Sequence, residues 1–202
     1  MSGSGPVELV LASSNPEKSA EIRAILGAAG IVVFPRPADV PEVEETGETL
    51  VDNARLKAVA LCAATGRAAV ADDTGLAVEA LGGQPGVFSA RYAGEGATYA
   101  DNVAKLLREL DGVPDAERQA RFVAVAFAVF PDGTEVFAEG AVDGTIAIAP
   151  RGTGGFGYDP VFVPDEGDGR TFAEMSSDEK HAFSHRGRAF RALAARLGAP
   201  TT

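Results

Sequence analysis

Short apolar runs alternate with amphipathic helices along the chain, and this alternation limits the possible folds more than any other sequence feature. Residues 7–12 are expected to form a strand, and Pro16 suits the first turn of a helix that continues through residues 19–29. The same order returns at residues 31–34 and 49–65, where a short strand precedes a helix. Alternating strands and helices are typical of an α/β sheet covered by helices.

The second half of the chain predicts strands joined by a tight turn. Residues 121–130 and 135–142 flank the tripeptide Pro131-Asp132-Gly133, which is a hairpin signal. A final helix is expected over residues 184–197, and the sequence contains no internal repeat, long linker or low-complexity tract. The sequence therefore predicts a single α/β domain over residues 1–202 with a mixed sheet.

Composition excludes several classes of protein. The net charge of −11, from 18 basic and 29 acidic residues, argues against a general nucleic-acid binder, which would present a basic face. No apolar run approaches the ~18 to 20 residues that cross a bilayer, and the N-terminus has no basic start of the kind found in signal peptides. The single cysteine, Cys62, cannot form an internal disulfide, which fits a reducing compartment. We expect a cytoplasmic protein with neither a membrane nor a nucleic acid as partner.

The charges are unevenly distributed along the chain. Residues 39–52 contain six acidic and no basic residues, whereas residues 180–196 contain five basic and no acidic residues. The two segments could meet around a metal–phosphate complex, or each could be an ordinary solvated surface. Charge alone leaves both alternatives open.

The first polar cluster joins the first strand to the first helix. Helix N-terminal amides bind anions, so this turn and its lysine could hold a phosphate. The alternative is a simple helix cap, and the glycine pattern of a Walker A loop is absent. The cluster comprises Ser13, Ser14, Asn15, Pro16, Glu17 and Lys18.

A second and a third cluster supply carboxylates. Glu44 and Glu45 precede a helix on which Asn53 and Lys57, four residues apart, share one face. That face could equally be solvated.

Asp72 and Asp73 follow an apolar run, residues 68–71, that is expected to be a buried strand ending at this point. Two buried carboxylates are costly unless donors or a cation satisfy them, and Mg²⁺ with a triphosphate would do so. Neighbouring strand residues face opposite ways, so only one of the two aspartates is expected at a given site. An ordinary Asp-Thr-Gly turn is the alternative.

The fourth cluster combines a glycine-rich loop with basic residues further along the chain. Phe156 and Tyr158 could stack on a nucleotide base, and Asp159 could hydrogen-bond to its edge. Lys180 and the pair His185-Arg186 follow, the pair at the start of the last helix.

Five segments that contain these clusters resemble the inosine/xanthosine triphosphate pyrophosphatase family. They occur in the family's order and span nearly the whole chain: LASSNPEK (11–18), EETGETLVDNARLKA (44–58), ADDTGLAVEALGGQPGVFSARYAG (71–94), GTGGFGYDPVF (152–162) and AEMSSDEKHAFSHRGRA (173–189).

The resemblance implies an elongated mixed β-sheet flanked by helices, two lobes around a nucleotide cleft, and a homodimer. It implies Mg²⁺-dependent hydrolysis of ITP, dITP and XTP to the monophosphate and pyrophosphate, which keeps these nucleotides out of DNA and RNA. Glu44 and Asp73 match the family's metal-linked carboxylates, and Asp73 also matches its general base. The implied substrate-binding residues are Ser13 to Lys18 (Ser13, Ser14, Asn15, Pro16, Glu17, Lys18), Lys57, Thr74, Phe156, Gly157, Tyr158, Asp159, Lys180, His185 and Arg186.

Two other functions remain open at the level of sequence. The related Maf-like enzymes also cleave nucleoside triphosphates to monophosphates but prefer modified pyrimidines or standard nucleotides. A nucleotide-sensing module would bind without turnover, although the set of Glu44, Lys57 and Asp73 disfavours it. The departures from the family pattern at Ser14, Pro16, Glu17 and His181 bear on substrate affinity, and we expect Glu17 to turn outward.

Overall fold

The computed structural model describes residues 5–198, and its elements follow the predicted order. The helices are α1 (Pro16–Ala28), α2 (Leu50–Thr65), α3 (Tyr99–Glu109), α4 (Ser177–Phe183) and α5 (His185–Arg196). The strands are β1 (Glu8–Leu11), β2 (Val32–Phe34), β3 (Ala69–Val78), β4 (Pro85–Gly86), β5 (Gln119–Val129), β6 (Glu135–Ile146) and β7 (Phe162–Pro164).

The strands of the described residues form one sheet with the order β2-β1-β3-β5-β6-β7, and β4 pairs with β3. Strand β1 lies parallel to both β2 and β3, whereas β4 is antiparallel to β3 and β7 is antiparallel to β6. The predicted mixed sheet of an α/β protein is therefore confirmed. None of the helices within residues 5–198 is long and apolar enough to cross a membrane.

One local prediction was wrong, and one helix was missed. Strand β3 does not end at Ala71 but continues to Val78, because Leu76 and Val78 are buried at alternate positions beyond the two aspartates. Helix α4 was not predicted, although Ser176 and Glu179 form the capping box that begins it. The aspartates therefore lie in the middle of a strand rather than at its end.

The chain divides into two compact units. Of the described residues, unit 1 contains 5–73, 124–140 and 186–198, and unit 2 contains 74–123 and 141–185. Each unit has its own hydrophobic core, and the two are described separately.

Unit 1 has three layers, with helices on both faces of its strands. Successive residues of β5 alternate between the two sides: Ala124 and Ala126 lie in one core cluster, and Val125 and Phe127 lie in the other. Helices α1 and α5 contribute to the first cluster and α2 to the second. Burial on both faces explains why these strands are continuous apolar runs in the sequence.

The core of unit 2 is built from aromatic side chains and from the apolar stripe of α3. The ring centroids of Phe122 and Phe162 lie 4.7 Å apart, and those of Phe162 and Phe172 lie 5.1 Å apart. Val103 and Leu106 of α3 pack into the same cluster. This core supports the glycine-rich loop that contains several of the predicted site residues.

Arg118 is a buried cation of unit 2 that is satisfied by backbone carbonyls. Its guanidinium donates to the carbonyl oxygens of Leu110 at 2.9 Å and Ile146 at 2.8 Å, and it also reaches those of Val113 and Ala147. One side chain thereby fixes the C-terminal end of α3 to the end of β6.

Replacing Arg118 by methionine keeps much of the side-chain volume but removes every one of these donors. We expect Arg118→Met to lower the free energy of unfolding by about 3 kcal/mol, because buried carbonyls lose charged donors. Urea denaturation would measure it. The control is Arg121→Met in strand β5, which begins directly after Arg118; this exposed arginine pairs with Asp143, and the expected loss is below about 0.5 kcal/mol. Equal losses in the two variants would contradict this role of Arg118.

Candidate active site

The first predicted cluster forms a capped turn between β1 and α1. Asn15 is the N-cap of α1, and its Oδ1 accepts a hydrogen bond from the Lys18 amide at 3.0 Å. The Asn15 amide in turn donates to Ser13 Oγ at 3.2 Å. The capping alternative is therefore confirmed, while Ser14, Pro16 and Glu17 are exposed, with Glu17 outward as expected. Binding of a phosphate at this turn stays a prediction.

Behind this turn lies a buried network of charges. Arg186 donates to Glu21 Oε2 at 2.6 Å and, through two nitrogens, to Asp72 Oδ2 at 3.4 Å. Lys18 Nζ lies 3.3 Å from the same oxygen of Asp72. Burial alone would raise the pKa of Asp72, but the charges of Lys18, Arg186 and Lys57 outweigh it and hold this pKa below its ordinary value. Asp72 is therefore an ionised carboxylate that fixes two cations.

Asp73 faces a different set of partners, as the alternation of side chains along a strand predicts. Lys57 Nζ donates to Asp73 Oδ1 at 3.1 Å and to Glu45 Oε1 at 2.8 Å. The other oxygen of Asp73, Oδ2, is buried and has no hydrogen-bond partner within the part of the chain that the structure describes. Asp73 is thus half-satisfied, with one buried oxygen that no donor of the described residues meets.

Burial and charge set the protonation of this pair. Burial is the largest influence on Asp73 and raises its pKa; together with the charges of Glu45 and Asp72 it outweighs the lowering effect of Lys57 and Lys18. Burial lowers the pKa of Lys57, but the surrounding carboxylates of Asp73, Asp72 and Glu45 raise it above its ordinary value. A lysine held protonated beside a carboxylate of raised proton affinity suits proton transfer next to an anionic ligand.

The loop that contains Glu44 and Glu45 is attached to helix α2 by Asn53. The Gly47 amide donates to Asn53 Oδ1 at 2.8 Å, and a Cβ at position 47 would collide with Asp52 and Asn53. Asn53 and Lys57 therefore both contact this loop from one face of α2, and that face is not simply solvated. Glu45 contacts Lys57, whereas Glu44, the residue expected from the resemblance, is exposed.

In unit 2, Asp159 organises the glycine-rich loop. Its Oδ2 accepts hydrogen bonds from the Phe156 amide at 2.8 Å and from Lys180 Nζ at 2.7 Å, and both side chains of the ion pair are buried. Gly155 has a φ of +65°, and a side chain there would run into the Asp159 carboxylate. The Lys180 ammonium lies 4.9 Å from the centre of the Phe156 ring. A half-buried aromatic ring and an ammonium group are thereby held together.

The two rings that were expected to stack on a base, those of Phe156 and Tyr158, differ in their burial. Phe156 is half-buried, but Tyr158 lies in the core of unit 2, and its hydroxyl donates to the Ser89 carbonyl at 2.9 Å. His185 is also buried, with its ring 4.4 Å from that of Phe122 and nearly parallel to it. Gly157 precedes Tyr158 with a positive φ, and Thr74 is half-buried in strand β3. Of the two rings, Phe156 is the one in a position to contact a ligand.

Sequence reasoning missed Glu21 and Tyr99, which complete these groups. Glu21 lies within a helix whose apolar stripe gave no indication of its contact with Arg186. Arg186 did offer an indirect indication, because a buried arginine requires acidic partners. Tyr99, which contacts Phe156, lies outside the five motifs.

Asp72 gives a direct test of the buried network. Asp72→Asn keeps the shape but removes the charge that compensates Arg186 and Lys18, so the free energy of unfolding should fall by about 3 kcal/mol. Thermal or urea unfolding would measure this loss against Asp143→Asn, which changes an exposed aspartate. A loss below about 1 kcal/mol would show that Asp72 does not compensate these cations.

Known proteins resemble this chain over most of its length. The model of the Ham1 family matches residues 9–196. A dITP/XTP pyrophosphatase of Streptomyces avermitilis is 50% identical over 192 residues, covering 92% of this chain and 94% of the relative. Another, of Nitratidesulfovibrio vulgaris, is 53% identical over 193 residues, covering 92% and 93%.

Solved structures show the same fold. A HAM1 protein from Coxiella burnetii superposes with a TM-score of 0.85 at 42% identity, covering 95% of this chain and 98% of its own. A nucleoside-triphosphatase, dITP/XTP pyrophosphatase, from Mycobacterium abscessus has a TM-score of 0.73 at 48% identity, covering 95% and 99%. The resemblance expected from five ordered motifs is confirmed over almost the whole sequence, and the chain belongs to the Ham1 family.

Proposed function

We propose that this chain hydrolyses deaminated purine nucleoside triphosphates, namely dITP, ITP and XTP, to the nucleoside monophosphate and pyrophosphate. The names of its relatives, dITP/XTP pyrophosphatases at about half identity over nearly full length, support the substrate class. The single structural observation that carries the chemistry is the pair formed by Lys57 and Asp73. It combines a protonated cation with a buried carboxylate that has one oxygen without a partner in the described chain.

The residues of unit 1 suit the triphosphate and the attacking water. Lys18 and Lys57 supply positive charge, and the amides that begin α1 add the dipole of a helix N-terminus. Asp73 orients a water molecule and accepts its proton as the water oxygen bonds to the α-phosphorus. The bond between that phosphorus and the oxygen bridging to the β-phosphate breaks, and pyrophosphate leaves. The raised pKa of Asp73 favours this acceptance of a proton.

The donor set also fits Mg²⁺, which we propose as the cofactor. The contacts described above join three cations, Lys18, Lys57 and Arg186, with four carboxylates, Glu21, Glu45, Asp72 and Asp73. Residues 5–198 contain no cluster of three or more His, Cys, Asp or Glu side chains that could hold a metal ion. Mg²⁺ usually takes one or two carboxylates together with substrate phosphates, so Asp73 with Glu44 would be sufficient. When bound there, Mg²⁺ would neutralise charge on the phosphates.

The residues of unit 2 suit the purine base. Phe156 offers a stacking surface, and the Lys180 ammonium, paired with Asp159, places a positively charged hydrogen-bond donor beside the ring. A donor directed at a 6-oxo group would be left unpaired by the 6-amino group of adenine, which penalises ATP and dATP. We propose that this selects hypoxanthine and xanthine nucleotides over adenine nucleotides.

The remaining parts of the proposal concern assembly and location. By resemblance to the family, we propose that the chain forms a homodimer, acts in the cytoplasm, and has neither nucleic acid nor membrane as a partner. Light scattering coupled to size-exclusion chromatography would measure the mass in solution, and a value near 20.7 kDa, that of one chain, would contradict the dimer.

A substrate panel tests the central proposal. With Mg²⁺ we expect kcat/KM for ITP, dITP and XTP to exceed that for ATP by at least about 100-fold, because of the donor mismatch, and also to exceed that for dTTP. The products should be monophosphate and pyrophosphate rather than successive phosphates, as separated by anion-exchange chromatography. Preference for dUTP or dTTP would favour a Maf-like enzyme, and tight binding without pyrophosphate release would favour a sensor. Addition of EDTA should abolish turnover, and full activity in EDTA would overturn the Mg²⁺ proposal.

Asp73→Asn tests the catalytic role of the carboxylate. We expect kcat to fall by about 10²–10⁴-fold, because the variant loses the proton acceptor. The fold should persist, since Lys57 keeps Glu45 as a partner. Steady-state kinetics and thermal unfolding would be measured together, with Asp165→Asn at an exposed position as the matched control. Retention of more than about a tenth of the wild-type kcat by a folded Asp73→Asn variant would remove Asp73 from the mechanism.

A further inference from the structure

Tyr99, the first residue of α3, contacts Phe156 although it lies outside every motif that identified the family. The two ring centroids are 5.9 Å apart and the rings are tilted by 38°. This separation lies within the range of about 4.5–7 Å in which aromatic rings attract each other. The Tyr99 residue is 40% exposed, whereas the other tyrosines, Tyr92 and Tyr158, are 8% and 5% exposed and belong to the core. Tyr99 therefore adds an accessible aromatic surface beside Phe156.

The position of Tyr99 is fixed by the start of its helix. Thr98 and Asp101 form a complete capping box, with the Thr98 side chain accepting from the Asp101 amide and the Asp101 side chain accepting from the Thr98 amide. Asn102 holds the same turn to the preceding segment, because it accepts from the Ala93 amide at 2.7 Å and donates to the Ala90 carbonyl at 3.0 Å. Because these hydrogen bonds hold the first turn of α3 in place, the exposed Tyr99 ring is preorganised for contact with a ligand.

Phe156 is held in place by Asp159 and Lys180. Its amide donates to Asp159, and the Lys180 ammonium paired with Asp159 lies 4.9 Å from the centre of its ring. The surroundings of Phe156 thus combine a second aromatic ring with an ammonium donor. A flat heterocycle that carries an oxo group matches both, since the two rings can pack on its surface and the positive charge of the ammonium attracts an oxo group.

We propose that Tyr99 is a further substrate-contacting residue, which packs its ring against the purine base held at Phe156 and thereby strengthens binding of the base. This inference rests on the proposed function, because it takes the ligand at Phe156 to be the base of a purine nucleotide. It assigns Tyr99 to affinity for the base and not to the hydrolytic step.

Kinetics of three variants test the inference. Tyr99→Ala should raise KM for ITP about tenfold and leave kcat within about twofold, since a stacking contact is lost without a change at the phosphates. Tyr99→Phe should keep KM within about twofold, because the ring remains. Phe137→Ala is the matched control: Phe137 is 41% exposed and is stacked on Phe127, but it belongs to unit 1. An unchanged KM in Tyr99→Ala, or equal effects of Tyr99→Ala and Tyr99→Phe, would overturn the aromatic contact.

Protection from nitration supplies a test that does not depend on turnover. The chain has three tyrosines and no tryptophan, so tetranitromethane should modify Tyr99 first, as located by peptide mass spectrometry. Saturating IMP should slow nitration of Tyr99 at least fivefold, whereas pyrophosphate alone should leave it unchanged. Failure of IMP to protect Tyr99 would overturn the inference even if ITP is hydrolysed. If the wild-type chain does not hydrolyse ITP, the proposed function fails, and protection by IMP still decides whether Tyr99 contacts a base.

Discussion

Arg186 brings a permanent positive charge into the interior of unit 1, where Glu21 and Asp72 supply the carboxylates that compensate it. An arginine cannot shed its proton to relieve burial, so its partners must come from elements that lie close to it. Those elements are α1 and β3, and Asp72 extends the network to Lys18 at the start of α1. The placement of the lysine proposed to bind phosphate therefore depends on an ion pair that lies behind it.

The two neighbouring aspartates of β3 point to opposite sides of the strand and therefore have different surroundings. Asp72 faces Lys18 and Arg186 and holds a pKa below its ordinary value, whereas Asp73 faces Lys57 and has a raised pKa. The same strand, burial and residue type thus give one permanent anion and one carboxylate with greater affinity for a proton. The difference comes from the charges near each: Lys18, Arg186 and Lys57 lower the pKa of Asp72, whereas at Asp73 the carboxylates of Glu45 and Asp72 oppose the effect of the lysines. This separation of acid strengths is the arrangement that proton-transfer chemistry requires.

Periodicity predicted most of the fold, since the apolar runs and helical stripes correspond to elements that are observed. It misjudged β3, because polar residues in mid-strand resemble a strand end when their partners on other elements are unknown. Helix α4 was missed for a related reason: it has a capping signal but little apolar periodicity. Both errors occur where tertiary contacts decide the structure.

For the candidate site, the sequence indicated the segments that supply the clustered polar side chains, but it did not indicate the contacts between those side chains. The contact of Lys57 with Glu45 depends on how Asn53 holds the loop, and such a contact cannot be predicted from spacing alone. The burial of Tyr158 and the pairing of Tyr99 with Phe156 depend likewise on three-dimensional packing.

Strand β5 has a consequence beyond the folded state. From residue 122 to residue 130 it carries no charged side chain, and in unit 1 both of its faces are covered by apolar neighbours. Such a segment has the composition that promotes intermolecular cross-β association when it is uncovered. Helices α1, α2 and α5 therefore do more than complete the core, because they also keep this strand from self-assembly. Since α5 follows β5 in the sequence, a growing chain keeps one face of β5 without its full cover until α5 has been synthesised, and β5 is open to intermolecular association during that interval.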